Sequence, residues 1–496
     1  MSPEIHGLSE GWSDRGVTLS GARQHGEFAR LRTSRRCPGD VDVRVLRKGE
    51  LASNPPLPQQ HMDYSKSTEL RELSHSMIPG GCHTYAKGDD QYPVLSPGFI
   101  QRGQGCHVWD VDGNEFIEYG MGNRAVTLGH AYGPVVEAAA RELERGANFV
   151  RPSPIEVECA RVFLDLVEGA EMVKFAKDGS DATSAAVRLA RACTGRDLIA
   201  VCADHPFFSV DDWFIGTTPM HAGVPKTVRD LTLMFRYNDV ASVEALFEAH
   251  PGEVAAVILE PAKYEDPQDR FLHKVRDICH KNGALFILDE MITGFRWHSG
   301  GAQKLYDILP DLSTFGKGMA NGFSVSALAG KREYMERGGL RHDKERVFLL
   351  STTHGGETHA LAAAIATMRT FAEEPVVATL ESRGTQLAKG LRQAIGRHQL
   401  EGYVEIIGRP SCLVYATRDT DGKPSQSYRA LFLQEMIQRG VIGTSLVVSY
   451  SHTEEDIDRT VEAIDGALGV YSRALNDGVD RYLTGHPCKP VFRKYA

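Results

Sequence analysis

Four apolar residues, Leu285–Leu288, run without interruption into two acids, Asp289 and Glu290. A run with no polar alternation can face solvent on neither side, so it reads as a strand buried within a parallel sheet. Parallel strands need crossover connections, usually helices that cover both faces of the sheet. This one segment therefore predicts an α/β fold, and its C-terminal end is where such sheets bind ligands. Downstream, Lys317 stands in STFGKGMANG (313–322), among small residues that let a ligand approach the backbone closely.

The surrounding pattern agrees. From about Glu156 to about Leu340 strand-like and helix-like stretches alternate: EMVKFAK, SDATSAAVRLARACTG, DLIAVCA, VAAVILEP, DRFLHKVRDICHKNG, ALFILDE and STFGKG. That alternation predicts a mostly parallel sheet flanked by helices. Between Gln101 and Tyr119, apolar alternation broken by Asp-Gly-Asn is a hairpin signal. Beyond about 370, helices and strands mix, and no internal repeat is visible. Residues 1–61 combine Arg, Gly, Ser and Pro without sustained periodicity and read as a disordered extension. Met62 opens a helix-like stretch and is an alternative translation start, so deleting 1–61 is expected to leave folding and activity intact.

A carboxylate at a strand end and a lysine in a glycine-lined turn are the groups that pyridoxal phosphate chemistry needs. The acid keeps the pyridine nitrogen protonated and the lysine forms a Schiff base. A third feature matches them. After MVKFAK come Asp178, Gly179 and Ser180, then an amphipathic helix. Free N–H groups and the positive dipole end at such a helix start suit a phosphate, with plain N-capping by Ser180 or Asp181 as the competing reading.

With these motifs in this order, the chain from about Ser67 to about Leu468 resembles the class III aminotransferases, fold-type I pyridoxal-phosphate enzymes, in their glutamate-1-semialdehyde aminomutase-like branch. The resemblance implies a large cofactor-binding domain over 131–370. It also implies a smaller α+β domain formed by both chain ends, 62–130 and 371–496. Lys317 and Asp289 become the catalytic pair, with Asp178, Gly179, Ser180 and Glu260 around the cofactor. Asp178 stands where the family usually has serine, so its carboxylate must point away or accept backbone hydrogens. Thr352, in LSTTHGGETHA, takes the place of a threonine that reaches the phosphate of a partner subunit, which implies a homodimer. The aromatic residue expected over the ring is Phe207, with His205 and Phe208 as rivals. Arg124 and Arg151 are candidates for a substrate carboxylate or phosphate, or alternatively structural ion-pairing residues; His83 and Tyr85 are further candidates.

Two stretches depart from the aminomutase pattern, both on the substrate side. Cys82–Asp90 replaces an Asn-Ser-Pro-Val-Arg type motif, and the stretch before His452-Thr453-Glu454 is shorter and lacks an acid. The expectation is thus an aminotransferase moving an amino group from an amino acid to an aldehyde or ketone, with an intramolecular aminomutase (an isomerase) as the alternative. A non-catalytic cofactor-binding protein is the other rival, and Lys317 with Asp289 argues against it. HTYAKGDDQYP, GMGNRAVTLGHAYGPV, the Asp289–Lys317 segment and the terminal PVFRKYA together resemble a subgroup of these enzymes associated with polysaccharide or natural-product assembly, which implies keto-sugar-like or other aldehyde acceptors. Net charge −9 and pI near 6.1 disfavour a general nucleic-acid binder. No stretch is apolar over a bilayer's width, and the N-terminus lacks a secretory core. The nine scattered cysteines lack metal-type spacing and suggest reduced thiols, so a cytoplasmic enzyme without membrane or metal is expected.

Overall fold

A computed structural model describes residues 62–205 and 207–495; the extension read at 1–61 lies outside them. The apolar runs form the strands they predict. In chain order the strands are β1 (Ile100–Gln104), β2 (His107–Asp110), β3 (Glu115–Glu118), β4 (Met172–Ala176), β5 (Leu198–Cys202), β6 (Thr232–Phe235) and β7 (Val254–Leu259). They continue with β8 (Leu285–Asp289), β9 (Leu312–Phe315), β10 (Ser326–Gly330), β11 (Val404–Ile407), β12 (Val414–Thr417) and β13 (Val441–Ile442).

Seven of them make the central sheet, in the order β4-β10-β9-β8-β7-β5-β6. Every pairing is parallel except the two made by β10, which runs against β4 and β9. The central strands β7 and β8 are buried at every residue, as their unbroken apolar runs require. Their registers place Leu259 beside Leu288 and Asp289 beside Thr314. The chain leaving β4, β5, β7, β8 and β9 therefore emerges at one sheet edge, carrying Gly179, His205, Glu260, Asp289 and Lys317.

The second layer joins both chain ends. β1, β2 and β3 form an antiparallel meander, and β13 adds to it parallel to β3, pairing Val441 with Ile117. The hairpin is closed by Asp110, whose Oδ1 accepts the N–H groups of Asp112 and Asn114 around Gly113 at φ 94°. The long helix Glu454–Asp477 packs here, its first turn fixed by a Thr453–Asp456 capping box. Asp456 also receives the Cys106 thiol and lies 3.0 Å from His107 Nε2, while His107 Nδ1 lies 2.9 Å from Glu115. Cys106, His107 and Asp456 converge from positions about 350 residues apart, so no local spacing could have announced them. All eight described cysteines are unpaired, and among the described residues no helix is long and apolar enough to cross a membrane.

His107 gives this docking a pH dependence. The hydrogen bond to Asp456 raises its pKa, burial opposes, and the charges of Asp456 and Glu115 raise it further. A raised folded pKa contributes stability that is present in full below the unfolded value of about 6.5 and lost as pH rises through the folded value. His107→Gln should therefore lower the melting temperature more at about pH 6 than at about pH 9. Equal losses at both pH values would make His107 a packing residue only.

Candidate active site

The end of β8 is the centre of the site. Asp289 is buried, and its Oδ1 accepts both the Met291 N–H (3.1 Å) and the Thr314 hydroxyl (3.0 Å). Oδ2 has no partner among the described residues. The neighbouring Glu290 points elsewhere: its two oxygens take the N–H groups of Ala302 and Gln303 and the Thr293 hydroxyl, fixing the turn at Gly301. Of the two acids, Asp289 alone has an oxygen without a partner among the described residues.

Met291 shows how tightly the pieces meet. A Cβ on Gly179 would lie 3.1 Å from the Met291 sulfur, and one on Gly316 would lie 2.7 Å from it. The helix Gly179–Thr194 and the lysine turn therefore both close on the β8 end, and the small glycines let the Met291 side chain lie against both. Lys317 itself sits at φ +41°, a left-handed conformation that strains a residue with a side chain. Asn321, in the same turn, accepts the Leu128 N–H and donates to the Gly129 carbonyl, holding the turn in place.

The helix start resolves the puzzle of Asp178. Its carboxylate accepts the Asp181 N–H at 3.0 Å as an N-cap, so it is directed at its own helix. Ser180 Oγ accepts the Val210 N–H, tying this turn to the loop after β5. In that loop His205 is buried and its Nδ1 accepts the Glu260 N–H; Phe208 is buried in the core. Phe207 is 43% exposed, touching Phe214 edge-on and lying nearly parallel to Phe492 of the C-terminal tail. Of the three rivals, Phe207 alone presents an open face.

The electrostatics are those of a closely packed ionic cluster. Burial pushes the Asp289 carboxyl up to about 7, the Glu260 charge adds to this, and Lys317 with the two hydrogen bonds to Oδ1 opposes it. Burial pulls the Lys317 ammonium down, Asp289 and Glu260 hold it up, and Lys263 and Arg124 add to the depression. Burial would raise Glu260, yet Lys263, His205 and Lys317 outweigh it and hold the carboxyl below its usual range. Lys263 Nζ contacts Glu260 Oε1 at 2.8 Å, while Oε2 is buried without a partner. Sequence reasoning missed Lys263 and Thr314. The i, i+3 spacing Glu260–Lys263 was the only available signal for the first, and the second follows from strand register alone.

Arg124 joins this cluster from β3's far end. Residues Met121, Gly122, Asn123 and Arg124 all have positive φ, between 43° and 70°. A left-handed run costs about 1–2 kcal/mol per non-glycine residue, and the buried Arg296 steadies it by donating to the Arg124 carbonyl. Arg151 and Thr352 lie elsewhere. Both are exposed, beside Phe149, Val150 and Phe348, which expose 52%, 100% and 70% of their surface. Asn148 Nδ2 donates to the Thr353 carbonyl, joining these segments into one patch.

The family model for class-III aminotransferases matches residues 85–468. The chain belongs to this family. The glutamate-1-semialdehyde 2,1-aminomutase of Akkermansia muciniphila is 34% identical over 423 residues, covering 81% of this chain and 98% of that one. The corresponding protein of Chloroflexus aggregans is 35% identical over 436 residues, covering 82% and 98%. Among solved structures, the Sphingopyxis sp. MTA144 FumI protein, in a pyridoxal-phosphate form, superposes with TM-score 0.76 at 30% identity, covering 83% of this chain and 97% of that one. A glutamate-1-semialdehyde aminomutase from Pseudomonas aeruginosa has TM-score 0.71 at 20% identity and shares the fold.

Class-III aminotransferases are enzymes that use pyridoxal phosphate, and the residues present fit that group. Asp289 has an unpartnered oxygen, the helix start at Gly179 and Ser180 offers N–H groups, and Lys317 stands between them on a strained turn.

The closeness of the lysine turn can be tested directly. A Cβ on Gly318 would lie 2.6 Å from Thr127 Oγ1 and 3.0 Å from the Phe295 carbonyl. Gly318→Ala should cost about 1–3 kcal/mol in urea denaturation, and Thr127→Ala in the same chain should recover part of that loss. Simple additivity of the two substitutions would show that the contact is not tight.

Proposed function

We propose that this enzyme is an aminotransferase moving an amino group from an amino acid to an aldehyde or ketone that differs from the aminomutase substrate. The observation that carries the reading is spatial. The two stretches departing from the aminomutase pattern, at Cys82–Asp90 and just before His452, line one cavity through Cys82, His83, Gly443, Thr444 and Ser445. The carboxylate–lysine centre stands on the large sheet, apart from that wall. Changed substrate contacts beside unchanged chemistry imply a changed substrate. The keto-sugar-like acceptors of polysaccharide or natural-product assembly are the class this reading favours.

Bound here, pyridoxal phosphate supplies an aldehyde that condenses with amines and a ring that takes up the electron pair left by a departing proton. The Gly179 and Ser180 N–H groups would hold its phosphate, and Phe207, the exposed ring of the loop after β5, would cover its ring. The Asp289 carboxylate, through its unpartnered Oδ2, would accept a hydrogen bond from the protonated ring nitrogen, and that positive charge would in turn hold the buried carboxyl in its anionic form. Lys317 Nζ, its pKa lowered by burial, would be able to accept the proton from the substrate carbon and hold it for return on the far side of the substrate nitrogen. The Glu260–Lys263 pair balances charge beside it.

The aminomutase alternative is favoured by the identity of the curated relatives, and stoichiometry separates the two. Given a single amine and no acceptor, a transferase stops after one equivalent and accumulates pyridoxamine phosphate. Continued turnover of one substrate without an acceptor would establish the isomerase instead.

We also propose a homodimer in which Thr352 serves the neighbouring site. Its exposure in its own chain, beside the apolar patch of Phe149, Val150 and Phe348, supports this. Lys317→Ala and Thr352→Arg should each lower activity at least about a hundredfold. Mixing the two variants should then regenerate one intact site per heterodimer. Mixed dimers that form under saturating cofactor and recover nothing would remove Thr352 from the site.

A further inference from the structure

The end of the chain returns to the site. No helix or strand follows Arg481 among the described residues, yet the tail is tied down along its length. Gln434, on the helix Gln426–Ile437, accepts the Thr484 N–H on Oε1 (2.9 Å) and donates from Nε2 to the Tyr482 carbonyl (2.9 Å). Cys488 is buried. The Lys489 N–H then donates to the Asp90 carbonyl at 2.9 Å, and Arg493 Nη2 meets the Asp90 carboxylate at 2.7 Å. Nη1 of the same guanidinium donates to the Pro490 carbonyl at 2.9 Å, folding the tail on itself. Between these anchors Phe492 reaches the loop after β5, its ring 6.5 Å from that of Phe207 and inclined to it by 25°.

Chain ends ordinarily fray unless something ties them down. Here the ties go to two segments that border the site. Asp90 closes the Cys82–Asp90 stretch, which lines the cavity through Cys82 and His83. Phe207 belongs to the loop that His205 joins to Glu260 at the end of β7. Among the described residues Phe207 has two aromatic neighbours, Phe214 at 5.7 Å and Phe492 at 6.5 Å. Phe214 follows in the same loop and moves with it, whereas Phe492 braces the ring from outside. A partly exposed ring keeps one orientation only where packing locks its rotamer. The Arg493–Asp90 pair is half-buried and contributes little strength alone. Its effect is directional: a guanidinium bound at both ends fixes where the neighbouring Phe492 can lie.

We infer that the C-terminal tail is part of the active site, with Phe492 and Arg493 as positioning residues. Phe492 seats Phe207 over the cofactor ring, and Arg493 holds Phe492 in place from Asp90. The inference rests on the reading of Phe207 as the covering ring. It also couples the loop after β5 to the Cys82–Asp90 stretch, since one strap of chain is fastened to both.

The test uses the full-length holoenzyme and follows two properties of the bound cofactor: its rate of release on dilution, and the circular dichroism of its visible band. Phe207→Ala should speed release and weaken the dichroic band. Phe492→Ala should do the same, speeding release about two- to tenfold, the span of an aromatic pair. Phe492→Tyr should behave as wild type. Arg493→Ala should give a smaller change of the same kind, which Arg493→Lys largely restores. The deciding comparison is the double variant. If the tail acts through Phe207, Phe492→Ala adds nothing once Phe207→Ala is present. Additive effects would make Phe492 a general packing residue and overturn the inference. So would a Phe492→Ala enzyme with wild-type release and dichroism while Phe207→Ala changes both, and the reading of Phe207 would then stand. A Phe207→Ala enzyme that changes neither property removes Phe207 from the ring, and the inference falls with that reading.

Discussion

The rest of the site is built around one buried acid, Asp289, in a place that disfavours its charge. The carboxyl ends a strand whose other residues are all buried, and burying a charge costs several kcal/mol unless partners compensate. The register of β8 on β9 brings the Thr314 hydroxyl to it, and the chain reversal after Asp289 brings the Met291 N–H. Both fall on Oδ1. The compensation is therefore incomplete by one oxygen, and the pKa pushed up to about 7 is the physical expression of that shortfall. A cationic partner opposite Oδ2 would complete it. The same low-polarity surroundings depress Lys317, so one environment disfavours the charged form of both groups, and each charge is held mainly by the other.

Such an arrangement brings the backbone of these turns hard against neighbouring side chains. Gly179 and Gly316 both close on Met291, Gly318 closes on Thr127, and Lys317 accepts a left-handed φ. The unfavourable conformations are offset by buried polar groups bridging between segments. Asn321 spans Leu128 and Gly129, and Arg296 spans Thr127 and Arg124. These two residues touch neither acid of the reacting centre, yet they fix where Lys317 and Arg124 stand. Their role is positional.

What the sequence revealed, and what it hid, follows from the range of each interaction. Leu285–Asp289 was legible because an unbroken apolar run has one stable environment, and Lys317 because glycines flank it. The antiparallel strand Ser326–Gly330 was not: Ser-Ala-Leu-Ala-Gly has neither alternation nor β-branched residues, and its place between β4 and β9 comes from packing. Thr314 and Asn321 gain their roles through partners in other strands and turns. His107 and Asp456 meet across 349 residues of chain. The loop after β5 was ambiguous in sequence because it offers three rings; geometry separates them, since His205 bonds the Glu260 N–H, Phe208 enters the core, and Phe207 remains open. Residues 1–61 lie beyond the described part of the chain.

The division between the two layers explains why chemistry and substrate need not change together. Asp289, Lys317, Glu260 and Gly179 emerge from strands of the large sheet, whose burial constrains every residue. Cys82, His83 and Thr444 lie on connections of the smaller layer, where exposed loops accept change at little cost to the core. Arg124 stands at the junction: it follows β3 of the small sheet, but its carbonyl is held by Arg296 from the turn after β8. A residue anchored to both layers keeps a fixed position relative to Lys317 while the cavity walls around it vary.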